Sequence, residues 1–275
     1  MFTKIQFGST ARLIGALLVG WFLFSACSLF NLITEQSNPT QTPTPSATAT
    51  PTELPVENAP PAITLEIGSM ATGLQTITVP AVQVGDRPYW EVLPEYTQVT
   101  LLGYPISNSL KQPQIFIFPL GDLEEVSVET RGIIADLQEL LDSPREIQIM
   151  PFLPLQNGMQ SLHFHVQYLD FADGQGMRYL TEFDQGVVPV NNDGLIYTYQ
   201  GLTNDGKYYV SAILPVNHPS LPENGRITGN EPPEFTNNYH AYLADVVASL
   251  NPQAANTFTP DLTQLDAMLG SLEVK

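Results

Sequence analysis

The stretch from residue 162 to 214 constrains the fold more than any other, because its apolar residues recur with a period of two. Leu162, Phe164, Val166 and Tyr168 alternate with His163, His165, Gln167 and Leu169. After the turn residues Asp170-Phe171-Ala172-Asp173-Gly174-Gln175-Gly176, Met177, Tyr179, Thr181 and Phe183 alternate with Arg178, Leu180, Glu182 and Asp184. Successive side chains of a strand point to opposite faces of its sheet, so these two runs predict a hairpin. Residues 195–202 and 207–214 predict a second one, joined by Thr203-Asn204-Asp205-Gly206, whose Asp-Gly pair supplies the positive φ of a tight reversal. Four antiparallel strands in succession predict a meander.

Around this block the period changes. Upstream, Ile63, Leu65 and Ile67 alternate with polar or small residues, and Ile77, Val79, Val82 and Val84 form a second extended stretch interrupted by Pro80. Two short strands are expected over 99–102 and 114–118. Tyr89 and Trp90 are expected to pack in the core. Between 128 and 141, Ile133, Ile134, Leu137, Leu140 and Leu141 share one face at helical spacing until Ser143-Pro144, so a helix is predicted to lie on the sheet. Residues 147–155 carry Pro151 and Pro154 and fit an edge or a connecting arm. Phe235, Tyr239, Tyr242, Leu243, Val246, Val247 and Leu250 predict a further helix ended by Asn251-Pro252, and Thr259-Pro260 opens another with Leu262, Leu265, Leu269 and Leu272 inward. Strands and helices are segregated, so the class is α+β: an antiparallel sheet of two hairpins flanked by helices, in one domain over 62–275.

The first 61 residues have a different character. Residues 13–24 are uninterruptedly apolar, Lys4 and Arg12 precede them, and Ser25-Ala26 lead into Cys27, the only cysteine of the chain. This charge, apolar run and small-residue order is that of an export signal. It resembles the lipobox of bacterial lipoproteins, with Phe24 where Leu is usual and Leu23 one step earlier. The resemblance implies a signal peptide over 1–26 and a diacylglycerol and fatty acyl chain on Cys27. A retained anchor is the alternative, but about a dozen apolar residues fall short of the roughly 20 that span a bilayer. From Ser37 to Pro61 the chain is rich in Pro and Thr, with almost no large apolar residue. Such a segment cannot offset its ordering entropy, so 27–61 is expected to be a lipidated, disordered tether with a reach on the order of 75 Å. The expected location is the extracytoplasmic face of a cell membrane, lipid-anchored, with the single thiol consumed and no disulfide in the mature chain.

The net charge is −18, and it becomes more negative once Lys4 and Arg12 are removed. So acidic a surface repels phosphate backbones, which excludes nucleic acid as a partner. The block 162–215, above all Gly201-Leu202-Thr203-Asn204-Asp205-Gly206-Lys207-Tyr208-Tyr209-Val210-Ser211, is similar to a group of uncharacterised bacterial lipoproteins. The closing Leu265-Asp266-Ala267-Met268-Leu269-Gly270-Ser271-Leu272-Glu273-Val274 resembles the end of PsbP and Mog1-type domains. Those resemblances imply a binding or assembly domain and carry no catalytic residue.

Candidate chemistry gathers on the first hairpin. His163 and His165, two apart on a strand, are expected on one face. Pairing Tyr168 with Tyr179 and Phe164 with Phe183 would set His165 opposite Glu182 and His163 opposite Asp184. Two imidazoles and two carboxylates there have the chemistry of a metal or hydrolase site; the plainer reading is cross-strand pairing on a solvated face. Tyr197, Tyr199, Tyr208 and Tyr209 form a candidate binding surface, although strands favour tyrosine in any case. His218 and His240 are read as structural, and 170–174 and 191–194 as turns rather than calcium loops. No Gly-x-Ser-x-Gly elbow, His-Glu-x-x-His helix, Walker loop or dinucleotide fingerprint is present in the sequence. The expectation is a non-catalytic extracytoplasmic domain that needs no cofactor and binds a protein, peptide or carbohydrate. The alternative is a metal-dependent or carboxylate hydrolase on the His163, His165, Glu182 and Asp184 face.

Overall fold

The structure is a computed structural model and describes residues 60–275 apart from 84, 86 and 107–110. The expected signal peptide, Cys27 and nearly all of the expected tether lie outside the described residues.

Seven strands form one sheet in the order β2-β3-β4-β8-β7-β6-β5, with every neighbouring pair antiparallel. They are β2 (Gly73–Val79), β3 (Tyr96–Leu102), β4 (Gln114–Pro119), β5 (Met159–Tyr168), β6 (Gly174–Asp184), β7 (Ile196–Thr203) and β8 (Tyr208–Pro215). The predicted meander is β5 to β8, and a second meander, β2 to β4, joins it through the β4–β8 pair. Two short strands, β1 (Ile63–Thr64) and β9 (Glu273–Val274), pair separately and tie the start of the fold to its end.

Helices cover both faces of the sheet. On one face, α1 (Leu120–Val126) and α2 (Val128–Asp142) place Leu123, Ile134, Leu137 and Leu140 against Phe116, Phe118, Tyr179 and Tyr209. The helical period over 128–141 is therefore realised. The additional helix α1 ends where Ser127 accepts a hydrogen bond from Thr130 N at 3.0 Å and caps α2. On the other face, α3 (Pro233–Asn237), α4 (Tyr239–Leu250) and α5 (Leu262–Gly270) bury Phe235, Leu243, Leu250, Leu262, Leu265 and Leu269 against Ile117, Leu180, Tyr197 and Val210. The single helix expected from Phe235 to Leu250 is broken at Asn238, whose side chain accepts from Ala241 N and starts a new one.

Burial on both faces explains why β7 is buried along its whole length and β6 and β8 along most of theirs. The arm over 150–154 is also buried, lying across the α2 face rather than in any strand. Tyr89 and Trp90 depart from expectation. They form a 3₁₀ turn in the connection between β2 and β3, pack edge to face on each other at 5.1 Å, and leave Tyr89 70% exposed. Neither ring belongs to the core on either face of the sheet.

One ion pair fastens α5 to the sheet. Arg178 of β6 is buried and meets Asp266 of α5 through two hydrogen bonds, Nε to Oδ1 at 3.0 Å and Nη2 to Oδ2 at 3.1 Å. Asp266 Oδ1 also accepts from Tyr197 Oη at 3.0 Å, and Arg178 donates to Gln167 Oε1 at 2.7 Å and to the carbonyl of His165. Removing one partner strands the other charge in the interior. Asp266→Ala is expected to lower the unfolding free energy by about 3–5 kcal/mol in urea titrations. The double variant Arg178→Met with Asp266→Ala should lose clearly less than the sum of the single losses.

Candidate functional site

The predicted cluster is divided by the register of the first hairpin. Leu162 lies opposite Glu182, His163 opposite Thr181, Phe164 opposite Leu180 and Tyr168 opposite Met177, with irregularities between Gln160 and Leu162 and between Phe164 and Gln167. The expected pairs Tyr168–Tyr179 and Phe164–Phe183 are not formed, so neither histidine faces the predicted carboxylate. His163 shares the face of Thr181, away from that of Glu182. It lines a groove of about 530 Å³ with Ile147, Val166, Tyr168 and Val247, and burial holds its imidazole below the ordinary range.

His165 sits at the second irregularity with φ +53°, the one non-glycine residue in the left-handed region among the described residues. Its backbone N–H donates to Asn251 Oδ1 at 2.8 Å, its Nε2 is 3.2 Å from the Leu250 carbonyl, and its ring meets Phe258 edge to face. A β-bulge displaces the alternation by one residue, which is why the two histidines part. Burial first, and the Arg178 charge second, lower the pKa of His165.

Glu182 and Asp184 remain neighbours on one face of β6 at the end of the sheet. Glu182 is buried beneath the loop between β6 and β7. Its Oε1 accepts from Asn191 Nδ2 at 2.6 Å and its Oε2 from Asn191 N at 3.2 Å. Asn191 in turn donates to the Pro189 carbonyl and accepts from Gly194 N. A Cβ on Gly194 would stand 2.2 Å from Glu182 Oε1, so only glycine admits the carboxylate there. The same loop is held from α4, where Tyr239 Oη donates to the Val188 carbonyl at 2.8 Å and Tyr242 Oη accepts from Val190 N at 2.9 Å. Asn192 is engaged by His218 and Leu221. The loop 191–194 is thus a clamp, with both Asn side chains turned to protein partners.

Burial, and then the neighbouring Asp184, push the Glu182 carboxyl up to about 8, while the Asn191 N–H and Lys111 act the other way. Burial also raises Asp184, opposed by the Ser161 hydroxyl at 2.8 Å and by Lys111. Lys111 is lowered by burial and donates to Gln156 Oε1 at 3.3 Å. Beside this cluster lies a groove of about 620 Å³ whose lining includes Ser161, Asp184, Met159, Tyr239, His240 and Leu243. Among the described residues no three His, Cys, Asp or Glu side chains are grouped as metal ligands.

The tyrosine surface is corrected as well. Tyr197, Tyr199 and Tyr209 are wholly buried, with hydroxyls donating to Asp266 Oδ1, to the Leu169 carbonyl and to Gln200 Oε1. They are unavailable to a ligand because helices cover both faces of their strands. Tyr208 alone is partly accessible, in a groove of about 440 Å³ with Tyr96, Pro60, Pro61 and Lys207. His218 is buried, with Nδ1 2.7 Å from Ser220 Oγ. Sequence reasoning missed Arg178, Asp266, Asn191 and Gly194. Arg178 offered a signal: a cation inside an otherwise apolar alternating run requires a buried counter-charge.

Comparison with family models, curated proteins and solved structures finds no match for the chain.

A carboxyl raised on folding makes stability pH-dependent with a definite sign. Glu182 binds its proton more tightly folded than unfolded, so its contribution is full below the ordinary carboxylate range and is lost as pH rises through about 8. Asp184 adds in the same direction. The lowered histidines act in the opposite sense below about pH 7, so urea midpoints should fall between pH 7.5 and pH 8.5, and Glu182→Gln, whatever its own cost, should flatten that slope. An unchanged slope in the variant would assign the pH dependence to other groups.

Proposed function

We propose that the chain is a lipoprotein, anchored through Cys27, whose folded part acts outside the cytoplasm as a binding or assembly domain without catalysis of its own. The address rests on the apolar run 13–24, the basic residues before it and Ser25-Ala26-Cys27. For the folded part, one observation carries the reading: three of the four candidate side chains, and the buried Arg178–Asp266 pair, are engaged by the fold itself. Glu182 holds Asn191, Asp266 holds Arg178 and Tyr197, His165 holds the end of α4, and Asp184 accepts from Ser161. What the surface offers instead is open grooves whose linings mix polar side chains with apolar and aromatic ones.

The hydrolase reading has the raised Glu182 in its favour, since a protonated carboxyl at neutral pH suits a general acid. Against it, Glu182 is capped by the 191–194 clamp, and the His163, His165, Glu182 and Asp184 set is divided between two faces and two grooves.

The address is tested by labelled palmitate and fractionation. The wild-type chain should take up label and sediment with membranes, and Cys27→Ser should abolish the label and the processing at residue 27. Mass spectrometry finding an intact Met1 and an unmodified Cys27 in the membrane fraction would overturn the reading.

A further inference from the structure

The two edges of the seven-stranded sheet are built differently. β5 is interrupted twice along its pairing with β6 and carries His165 in the left-handed region, which kinks its open side. Bulges of this kind blunt an edge against further pairing. β2 has no such device. Gly73 to Val79 pair residue for residue with Leu102 to Tyr96 in unbroken register, and among the described residues no strand lies on the other side. The segment Gly-Leu-Gln-Thr-Ile-Thr-Val contains no proline and no charge, in a chain with 28 acidic residues. Five consecutive residues, 74–78, are exposed. An uncharged, flat, solvent-facing edge is a template for another strand.

We propose that this edge pairs with the β2 edge of a second copy of the chain, antiparallel, about a two-fold axis at Thr76. The proposal names the partner for the assembly reading given above and rests on that reading, though not on lipidation of Cys27. Its first support is shape. In that register Leu74 lies opposite Thr78 of the other copy, Gln75 opposite Ile77, and Gly73 opposite Val79. Gly73 has no side chain, and its β3 partner Leu102, 43% exposed, reaches along the bare position to within 3.9 Å of where a Cβ would stand. Pairing brings Val79 of the second copy to that place. Ile77, also 43% exposed, falls on the diagonal to its own symmetry mate. The apolar side chains that one copy leaves in water on this face are those the other copy covers.

The second support is charge. Two bodies of net charge −18 repel, so contact is least opposed where neither presents an acid, and β2 is such a surface. A basic partner would have no anionic group on this strand to recognise. The two cases differ in sign: screening by salt should tighten a contact between like-charged copies and loosen one with a basic partner.

The test uses the full chain in mild detergent with Cys27→Ser, so that neither a lipid nor the native thiol contributes, and a single cysteine placed at each of positions 74 to 78 in turn. Residues directly opposite across a strand pair come within the Cα range of a disulfide, and diagonal ones fall outside it. Oxidation should link Thr76→Cys at least about tenfold faster than Leu74→Cys, Thr78→Cys or a control at Val128, which is 75% exposed on α2. In sedimentation, added salt should favour the dimer, and Ile77→Lys should give monomer with an unchanged melting temperature. The proposal is overturned if no β2 position links faster than the Val128→Cys control while the chain stays monomeric at high salt. It is equally overturned if the β2 cysteines link only to a different polypeptide in membrane preparations. Failure here with Cys27 acylated in the wild-type chain would leave the address standing, and the reverse result would leave the pairing standing.

Discussion

The structure depends on the satisfaction of polar groups in a sheet that is covered on both sides. With helices on each face, water reaches neither side of β7 nor most of β6 and β8, so a hydroxyl, amide or backbone group there needs a protein partner or incurs its full desolvation cost. The arm over 150–154 raises the same problem in sharper form, because irregular backbone in a core has no ladder to bond to. Sheet side chains supply the partners. Leu153 N donates to Gln200 Oε1 at 3.0 Å and the Leu153 carbonyl accepts from Ser211 Oγ at 2.5 Å. The Pro151 carbonyl accepts from Tyr179 Oη at 2.7 Å, and Met150 N donates to Gln160 Oε1 at 2.8 Å. Pro151 and Pro154 bring no N–H, which halves what the arm requires at those positions.

The opposite face uses charge for the same purpose. Arg178 stands on the face of β6 that α5 covers, and four of its five donors reach Asp266, Gln167 and the His165 carbonyl. That set binds α5, β6 and the kinked part of β5 into one unit, and it gives the left-handed His165 its support: the backbone conformation, costly by about 1–2 kcal/mol, is held by bonds to its N–H, its carbonyl and its ring. At the far end of β6, Glu182 does for the 185–195 loop what Asp266 does for α5. The difference is that Glu182 is matched by an asparagine rather than a cation, so its ionised form is poorly compensated and its proton is held more tightly.

Much of the fold is legible in the chain, and the exceptions share a cause. The period-two runs over 162–214, the helix face of Ile134, Leu137 and Leu140, and the stripe Leu262, Leu265, Leu269 were readable because burial acts on every residue of a regular element. The register of β5 on β6 was not, because a bulge adds a residue without changing composition, and after it every cross-strand pairing moves. The histidine and carboxylate constellation failed with the register. The tyrosines misled for another reason. A strand with polar residues on one side reads as half-solvated, yet here Tyr209, Gln200 and Ser211 are one another's partners or those of the buried arm. Alternation reports that two faces differ and does not report that one of them is wet.

Those internal polar groups also determine which fold is reached. The chain has one cysteine, so cross-links play no part in selecting the pairing of strands. A sheet apolar on both faces would tolerate a shift of register at small cost, since one large aliphatic residue replaces another. With Gln200, Ser211 and Tyr209 on one side and Arg178 and Tyr197 on the other, a slip of a single residue exchanges the faces, removing the donors from the arm and separating the arginine from Asp266. Several buried groups then lose their partners at once, each at about 1–3 kcal/mol and more for the charges. Only one register satisfies all of them, and that selectivity is what a two-sided core of this kind obtains from polar residues that leucine and valine would not provide.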